Sequence, residues 1–433
     1  MSSPSPAGTA SDFHTWAASP PLGWNSWDCF GTTVTEAQVR AQAAYLATHL
    51  RPHGWRYLVV DIQWYQPTAR GHDYISGAHL AMDAHGRLIP AVEKFPSSAD
   101  GAGFRPLADY VHSLGLRFGI HLMRGIPRQA VLANTPVLGT VHRAADIADP
   151  SSTCAWNPDM FGVDVRRPGG QAYYDSLFAL YASWGVDYVK VDDIARPYDE
   201  LQALEIEAIR RAIDRTGRPM LLSLSPGETP LSRGPHVAGH ANLWRISDDF
   251  WDNWPALLAQ FQRLHDWTPH RRPGAWPDAD MLPLGAIEFG RPTRFTRDEQ
   301  ITLLTLWSIA RSPLMHGGDL TLTDDFTLSL LTNDEVLAVN QFSARNHQLF
   351  RTSAGHVAWL ADIPYSPDKY VALFNLADSG PAVVRVPLAD LGLPPGSARV
   401  RDLWSHSDLP PAADALTAEV PAHGARLFRV GPA

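Results

Sequence analysis

Asp192 and Asp249 are the side chains of this sequence best placed to do chemistry. Asp192 follows the apolar run Val186–Val191 in the motif YVKVDD, and Asp249 closes a shorter run inside WRISDDFWDNW, Trp244–Trp254. A carboxylate at the C-terminal end of a parallel strand is where β/α barrels keep their reactive groups. Two such carboxylates about 5 Å apart suit retaining glycoside hydrolysis, one attacking the anomeric carbon while the other protonates the departing oxygen. The competing role for a strand-end aspartate is to cap the next helix or to pair with a neighbouring lysine. Lys190 lies two residues before Asp192 and so shares its strand face. A buried ammonium there would keep the carboxylate ionised or donate to a sugar hydroxyl. Of the adjacent Asp248 and Asp249, only one can point inward from an extended segment. Arg245, in the same run, either makes bidentate contacts to hydroxyls or a carboxylate, or rests in a rim salt bridge.

Other candidates gather at comparable positions. Asp61 ends the run Tyr57–Val60, and Asp278 and Asp280 sit in PGAWPDADMLPLG, a stretch that a turn network alone would explain. Trp24, Trp27 and Trp64 flank strand ends, where an indole either floors a sugar site or packs in the core. No GxSxG, HExxH, paired CxxC or EF-hand loop is present, and the 18 histidines are scattered, so neither a metal nor a cofactor is expected.

The elements that must position these groups repeat as amphipathic helix, apolar strand and polar strand end. The helix Thr35–Leu50 leads into Tyr57–Val60, Pro106–Leu114 into Leu116–Met123, Gln171–Trp184 into Val186–Asp192, and Asp199–Thr216 into Pro219–Ser225. Leu22–Trp24, Leu243–Ser247, a segment near Pro273 and Ser312–His316, the last after the helix Asp298–Arg311, bring the strand count to eight. Such alternation requires a parallel sheet with helical crossovers, and a barrel puts every strand end on one rim. An open doubly wound sheet is the structural rival, but no GxGxxG or P-loop follows the first strand. After about Asn340 the runs HVAWLADI, KYVALFNL, AVVRVPL, ARVRDLW and ARLFRV read as an antiparallel β-sandwich with one solvated face. The expected division is a loose arm at 1–20, a catalytic barrel at 21–338 and the β domain at 339–433.

Composition narrows the partners. The formal charge of −9 and the lack of a basic cluster argue against nucleic acid, whose binding draws on grouped Lys and Arg. The 15 tryptophans favour a carbohydrate ligand, because flat apolar faces stack on sugar rings. With two cysteines, no apolar run of membrane-spanning length and no signal-like N-terminus, the expectation is a cytoplasmic protein with free thiols and no membrane partner.

Eight ordered motifs then resemble glycoside hydrolase family 27, the α-galactosidase and α-N-acetylgalactosaminidase family. They are GWNSWDCFG at Gly23, YLVVDIQW at Tyr57, FGIHLMRG at Phe118, STCAW at Ser152, WGVDYVKVDD at Trp184, WRISDDFWDNW at Trp244, PGAWPDADML at Pro273 and LWSIARSPLMHGGDL at Leu306. The resemblance implies a barrel followed by a β domain and a double-displacement mechanism acting on terminal α-D-galactosyl residues. By position, Asp192 resembles the family nucleophile and Asp249, rather than Asp248, its acid/base. Trp27 resembles the wall of the sugar site, Asp61 one of two aspartates holding the 4- and 6-hydroxyls, and Lys190 and Arg245 the cationic hydroxyl donors. Asp280 matches the aspartate of the late loop.

The departures bear on specificity. Ile62 stands where the family has a second aspartate, and His121 stands where it has a tyrosine near the nucleophile. Ser225 replaces a larger acidic residue near the sugar 2-position, as in members admitting a 2-acetamido group. A site built for polar pairing discriminates strongly against a partner left unpaired, so such changes can redirect sugar choice. The substrates that the resemblance leaves open are therefore an α-galactoside first, with a β-L-arabinopyranoside or an α-N-acetylgalactosaminide as alternatives, and a sugar-binding role without turnover as the alternative from another class. Cys154 and Cys29 match family half-cystines whose partner positions hold Ile194 and Gln63 here, which implies that the family disulfides are absent.

Overall fold

The computed structural model describes residues 12–433 apart from Pro226 and Pro395. The expected helix and strand alternation produces eight parallel strands: β1 Leu22–Asn25, β2 Tyr57–Val60, β3 Arg117–Met123, β4 Tyr188–Asp192, β5 Leu221–Leu224, β6 Leu243–Arg245, β7 Trp276–Asp278 and β8 Leu314–His316. They hydrogen-bond in the order β7-β6-β5-β4-β3-β2-β1-β8. The chain beyond β7 closes the ring through a parallel bridge from Leu282 to His316, where Leu282 N donates to Met315 O at 2.8 Å. The segment near Pro273 thus supplies β7.

Period-two geometry sets what faces the barrel interior. Tyr57 and Tyr188 meet there with ring centroids 5.7 Å apart, so Asp61, four residues beyond Tyr57, and Lys190 and Asp192, two and four beyond Tyr188, line the same interior higher up. Gly23 makes room for this layer, since a β-carbon on it would lie 2.5 Å from the Tyr57 carbonyl oxygen. Helix starts follow local chemistry: Thr35 with Gln38 and Thr296 with Glu299 form reciprocal capping boxes for Glu36–Tyr45 and Arg297–Ala310. The helix expected to run to Leu50 is α-helical only to Tyr45 and continues as a π-helical turn, Leu46–Leu50.

Three expectations need correction. The loose arm at 1–20 is an ordered, packed segment from Asp12 onward, while residues 1–11 lie outside the described residues. Phe13–Ala17 form a 3-10 turn, the Arg210 guanidinium lies 4.7 Å from the Phe13 ring centroid, and the His14 imidazole bonds the Ala238 carbonyl at 2.9 Å. The boundary at 338/339 falls inside the helix Asp334–Phe342, and the first β-domain strand starts at Ala344. The third concerns the solvated face expected of the β domain.

That domain has a six-stranded antiparallel sheet and a two-stranded sheet, Ala382–Pro387 with Ala415–Val420. The strand His356–Asp362, second from the edge of the six-stranded sheet, is buried on both faces, not one. Val357, Trp359 and Ala361 pack into the barrel core, while Ala358 and Leu360 join the sandwich core with Val384, Val386 and Leu416. Barrel helices supply the cover, as where Phe261 meets Phe374 edge-on with centroids 5.0 Å apart. The sheet had to be more apolar than a half-solvated one because it packs against both layers.

Candidate active site

The carboxyl ends of the barrel strands open into a cavity of about 380 Å³ lined by Trp27, Asp61, Ile62, His72, Tyr74, Trp156, Lys190, Asp192, Arg196, Asp248 and Asp249. Below it a smaller hollow is bounded by Asn25, Lys190, Ser225, Arg245, Asp278 and Asp280, among others. Both candidate catalytic carboxylates therefore face one space.

Asp192 does not cap a helix. The next helix, Glu200–Thr216, is capped by Asp199, whose side chain accepts from Gln202 N. Instead one Asp192 oxygen accepts from Asp193 N at 2.7 Å, and the other meets His121 Nε2 at 2.7 Å. These two contacts fix the carboxylate plane at the end of β4. Asp193 itself has a left-handed backbone, φ 56°, a conformation that a non-glycine residue holds only where its surroundings enforce it. Its carboxyl ion-pairs with Arg124 at 3.2 Å. Burial together with the adjacent Asp192 charge pushes the Asp193 carboxyl up to about 6, against the pull of Arg124.

Lys190 reaches across the barrel rather than to its own strand's aspartate. Its Nζ donates to Asp61 Oδ2 at 2.9 Å, and Asn25 Nδ2 donates to the same oxygen at 2.8 Å. The other Asp61 oxygen accepts from Ile62 N at 2.8 Å. Burial alone would raise the Asp61 carboxyl, but the Lys190 and His121 charges and these hydrogen bonds hold it well below the usual range. Burial would likewise lower the Lys190 ammonium, but the Asp61 and Asp192 charges overcome it and raise it. Both groups are thus fixed in their charged forms.

Asp248 and Asp249 both face the cavity, a correction to the expectation that only one would. Asp248 pairs with Arg196 on the rim at 2.5 Å. Asp249 is tied downward, accepting from Arg245 Nη2 at 3.2 Å, and that same nitrogen lies 2.8 Å from Asp280 Oδ2. The side chain of Asp249 remains 51% exposed, so it can both meet a leaving group and exchange protons with solvent. Asp280 also accepts from Phe250 N at 2.7 Å and has φ 83°, and its own N–H donates to Asp278 in the turn expected of this loop. Burial and the neighbouring Asp280 charge push Asp278 up to about 7.

Among the remaining candidates, Trp27 lines the cavity, whereas Trp24 and Trp64 are core residues whose indoles donate to Gly318 O and His121 O. Ser225 is buried in the lower hollow, 3.5 Å from Arg245 Nη1. His121, expected among the sugar contacts, is wholly buried and lies behind Asp192 instead of in the cavity wall. Register explains this: His121 on β3 pairs with Lys190 on β4, which sets its ring one step below Asp192. Its contact is to the Asp192 carboxylate.

Sequence reasoning missed His72, Tyr74, Trp156 and Arg196. Tyr74 stacks parallel to Trp27, centroids 6.3 Å apart and planes at 5°, and Trp156 closes on Tyr74 at 5.2 Å. Trp156 ends the STCAW motif and was within reach, but Tyr74 lies in an aperiodic stretch that carries no motif. Cys29 and Cys154 are buried and unpaired. No described helix is long and apolar enough to cross a membrane.

Comparisons with known proteins point to one family. The α-galactosidase A family model matches residues 162–342, and the α-galactosidase C-terminal β-sandwich model matches residues 355–430. A Cyamopsis tetragonoloba α-galactosidase is 29% identical over 425 residues, covering 95% of this chain and 86% of its own length. A Bacillus halodurans structure assigned provisionally to α-N-acetylgalactosaminidase is 46% identical with a TM-score of 0.86, covering 96% of this chain and 97% of its own. A family 27 β-L-arabinopyranosidase from Geobacillus stearothermophilus is 50% identical with a TM-score of 0.95, covering 98% of this chain and 99% of its own. An aspartate-to-alanine variant of that enzyme was solved in complex with arabinose. Half of the residues are shared along essentially the full length of an enzyme of known family, and on that ground the chain belongs to glycoside hydrolase family 27.

Proposed function

We propose that this glycosidase acts by retention and prefers terminal β-L-arabinopyranosides, a substrate with the ring stereochemistry of an α-D-galactoside but no 6-hydroxymethyl group. Ile62 carries this reading. It lines the cavity directly after Asp61, whose carboxylate is held in place by Lys190, Asn25 and the Ile62 amide. An sp³ branched side chain offers a 6-hydroxyl no acceptor, and burying that hydroxyl unpaired would cost about 1–3 kcal/mol. A sugar with a bare ring methylene at that position loses nothing. The 50% identity to an arabinopyranosidase supports the same choice. The α-galactoside reading, placed first from the sequence, is the second reading, favoured by the curated relatives named α-galactosidase.

In the proposed reaction Asp192, held by His121 and the Asp193 amide, attacks the anomeric carbon. The bond to the aglycone oxygen breaks as Asp249 delivers its proton. Asp249 then takes a proton from water, which displaces Asp192 and restores the original configuration. Lys190, Asp61, Arg245 and Asp280 grip ring hydroxyls, and Trp27 and Tyr74 wall the ring face. Free, buried thiols fit a cytoplasmic setting for this chemistry.

The test compares kcat/KM on 4-nitrophenyl β-L-arabinopyranoside and α-D-galactopyranoside, with the first-formed anomer read by NMR. The reading expects faster arabinoside cleavage and β-L-arabinopyranose as the first product. Equal or greater efficiency on the galactoside would overturn the preference, and an inverted product would overturn the mechanism.

A further inference from the structure

Away from the cavity, Glu207, His236 and His240 bring one potential ligand atom each to within 4.8 Å of one another. Glu207 belongs to the helix Glu200–Thr216, and the two histidines, four residues apart, share one face of the helix Gly234–His240. We infer that these three side chains form a binding site for a divalent transition-metal ion, zinc above all, with water completing a tetrahedral shell.

The atoms that a metal would not use are already occupied, and this separates the cluster from a chance meeting of polar side chains. His240 Nδ1 lies 2.8 Å from the His236 carbonyl oxygen. A carbonyl only accepts, so this nitrogen carries the proton and Nε2 keeps its lone pair. His236 Nδ1 lies 2.7 Å from the Tyr198 hydroxyl, which can accept the Nδ1 proton and release Nε2 for an ion. Glu207 Oε2 is held by Arg211 at 3.3 Å, which leaves Oε1, 3.3 Å from His236 Nε2, as the ligand oxygen. Each ligand thus has a hydrogen-bonded second shell of the kind that orients metal-binding imidazoles and carboxylates.

Two neutral imidazoles and one carboxylate suit zinc, nickel, copper or cobalt and give no selectivity for magnesium or calcium, which take oxygen ligands. All three ligands are half-buried, so an ion can enter from solvent and retain a water ligand. The ion would join the two helices through side chains alone. It would also fix Tyr198, which ends the turn that carries Arg196 to the cavity rim.

The experiment uses the full chain, freed of metal with a chelator and titrated with zinc chloride by calorimetry, and with cobalt chloride by visible absorption. The expected result is one zinc ion per chain at micromolar or tighter affinity, a higher Tm, and tetrahedral cobalt bands. His240→Ala should lose the high-affinity phase. Tyr198→Phe, which keeps all three ligands, should weaken binding by about 10- to 100-fold. The metal-free His240→Ala enzyme should keep wild-type kcat on the arabinoside, which reports that the fold survives. If His240→Ala does not fold, His240→Gln serves as the second variant. Absence of stoichiometric zinc binding, or zinc binding that survives in a folded His240 variant, would overturn the assignment.

Discussion

Replacing Ile62 by aspartate should convert the proposed sugar preference. Ile62 is buried in the cavity wall and its amide anchors Asp61, so the exchange alters the side chain while the backbone hydrogen bond at 2.8 Å can persist. The new carboxylate would sit beside Asp61 and within the field of Lys190, whose ammonium the neighbouring acids hold charged against the opposing effect of burial. A hydrogen bond from a sugar hydroxyl to an ionised acceptor is worth about 1.5–3 kcal/mol, equivalent to about 10- to 150-fold in kcat/KM at 1.36 kcal/mol per decade. The galactoside to arabinoside ratio of kcat/KM should therefore rise by that factor. Stability should fall by about 2–4 kcal/mol, from lost apolar burial and a second buried acid next to Asp61. Ile62→Asn, which adds an acceptor without charge, should give the smaller part of the gain. Initial rates on the two 4-nitrophenyl glycosides, with Tm as a check on folding, measure the effect. A folded Ile62→Asp variant whose ratio moves less than threefold would refute the claim that residue 62 reads the 6-position.

Other expectations follow from the same geometry. Asp249→Ala should lower kcat by about 10²- to 10⁴-fold on substrates with poor leaving groups, and far less on 4-nitrophenyl glycosides, because a good leaving group needs little protonation. A uniform loss across leaving groups, read from a series of aryl glycosides, would remove Asp249 from the acid role. Tyr74→Ala should raise KM about fivefold to tenfold, through loss of a stacked wall worth ~1 kcal/mol, and should leave the pH profile of kcat unchanged. Lys94 is buried and bonded to Thr32 O and Gln63 O, and burial lowers its ammonium to about 7. The unfolded chain therefore binds the extra proton between that value and the ordinary lysine range, so stability should rise with pH from about 7 to 9, by at most ~1.4 kcal/mol per unit. Urea midpoints at the two ends should show this rise in the wild type and a flatter response in Lys94→Met.

What was legible in the sequence is what strand periodicity and chain order fix by themselves. The run YVKVDD places Lys190 and Asp192 on one face at a strand's end whatever surrounds them, because side chains alternate with period two. The eight strands, the helices named before five of them, the later β-rich runs, and a turn built on Asp278 and Asp280 were likewise set locally. Tertiary structure alone decided which partner each group took. Lys190 turned to Asp61 at the end of β2 instead of Asp192 on its own strand, and His121 turned behind Asp192, because parallel register put those atoms within hydrogen-bond reach. The aromatic wall of Tyr74 and Trp156 comes from loops without a repeating pattern, and only the closed rim brings them to Trp27. The arm and the twice-buried sheet show the same limit. Phe13 and Val357 are apolar in any context, but which surface they bury against depends on residues as distant in the chain as Arg210 and the barrel helices. Local geometry needs only neighbours in sequence, whereas a site assembled from several strand ends exists only once the ring closes.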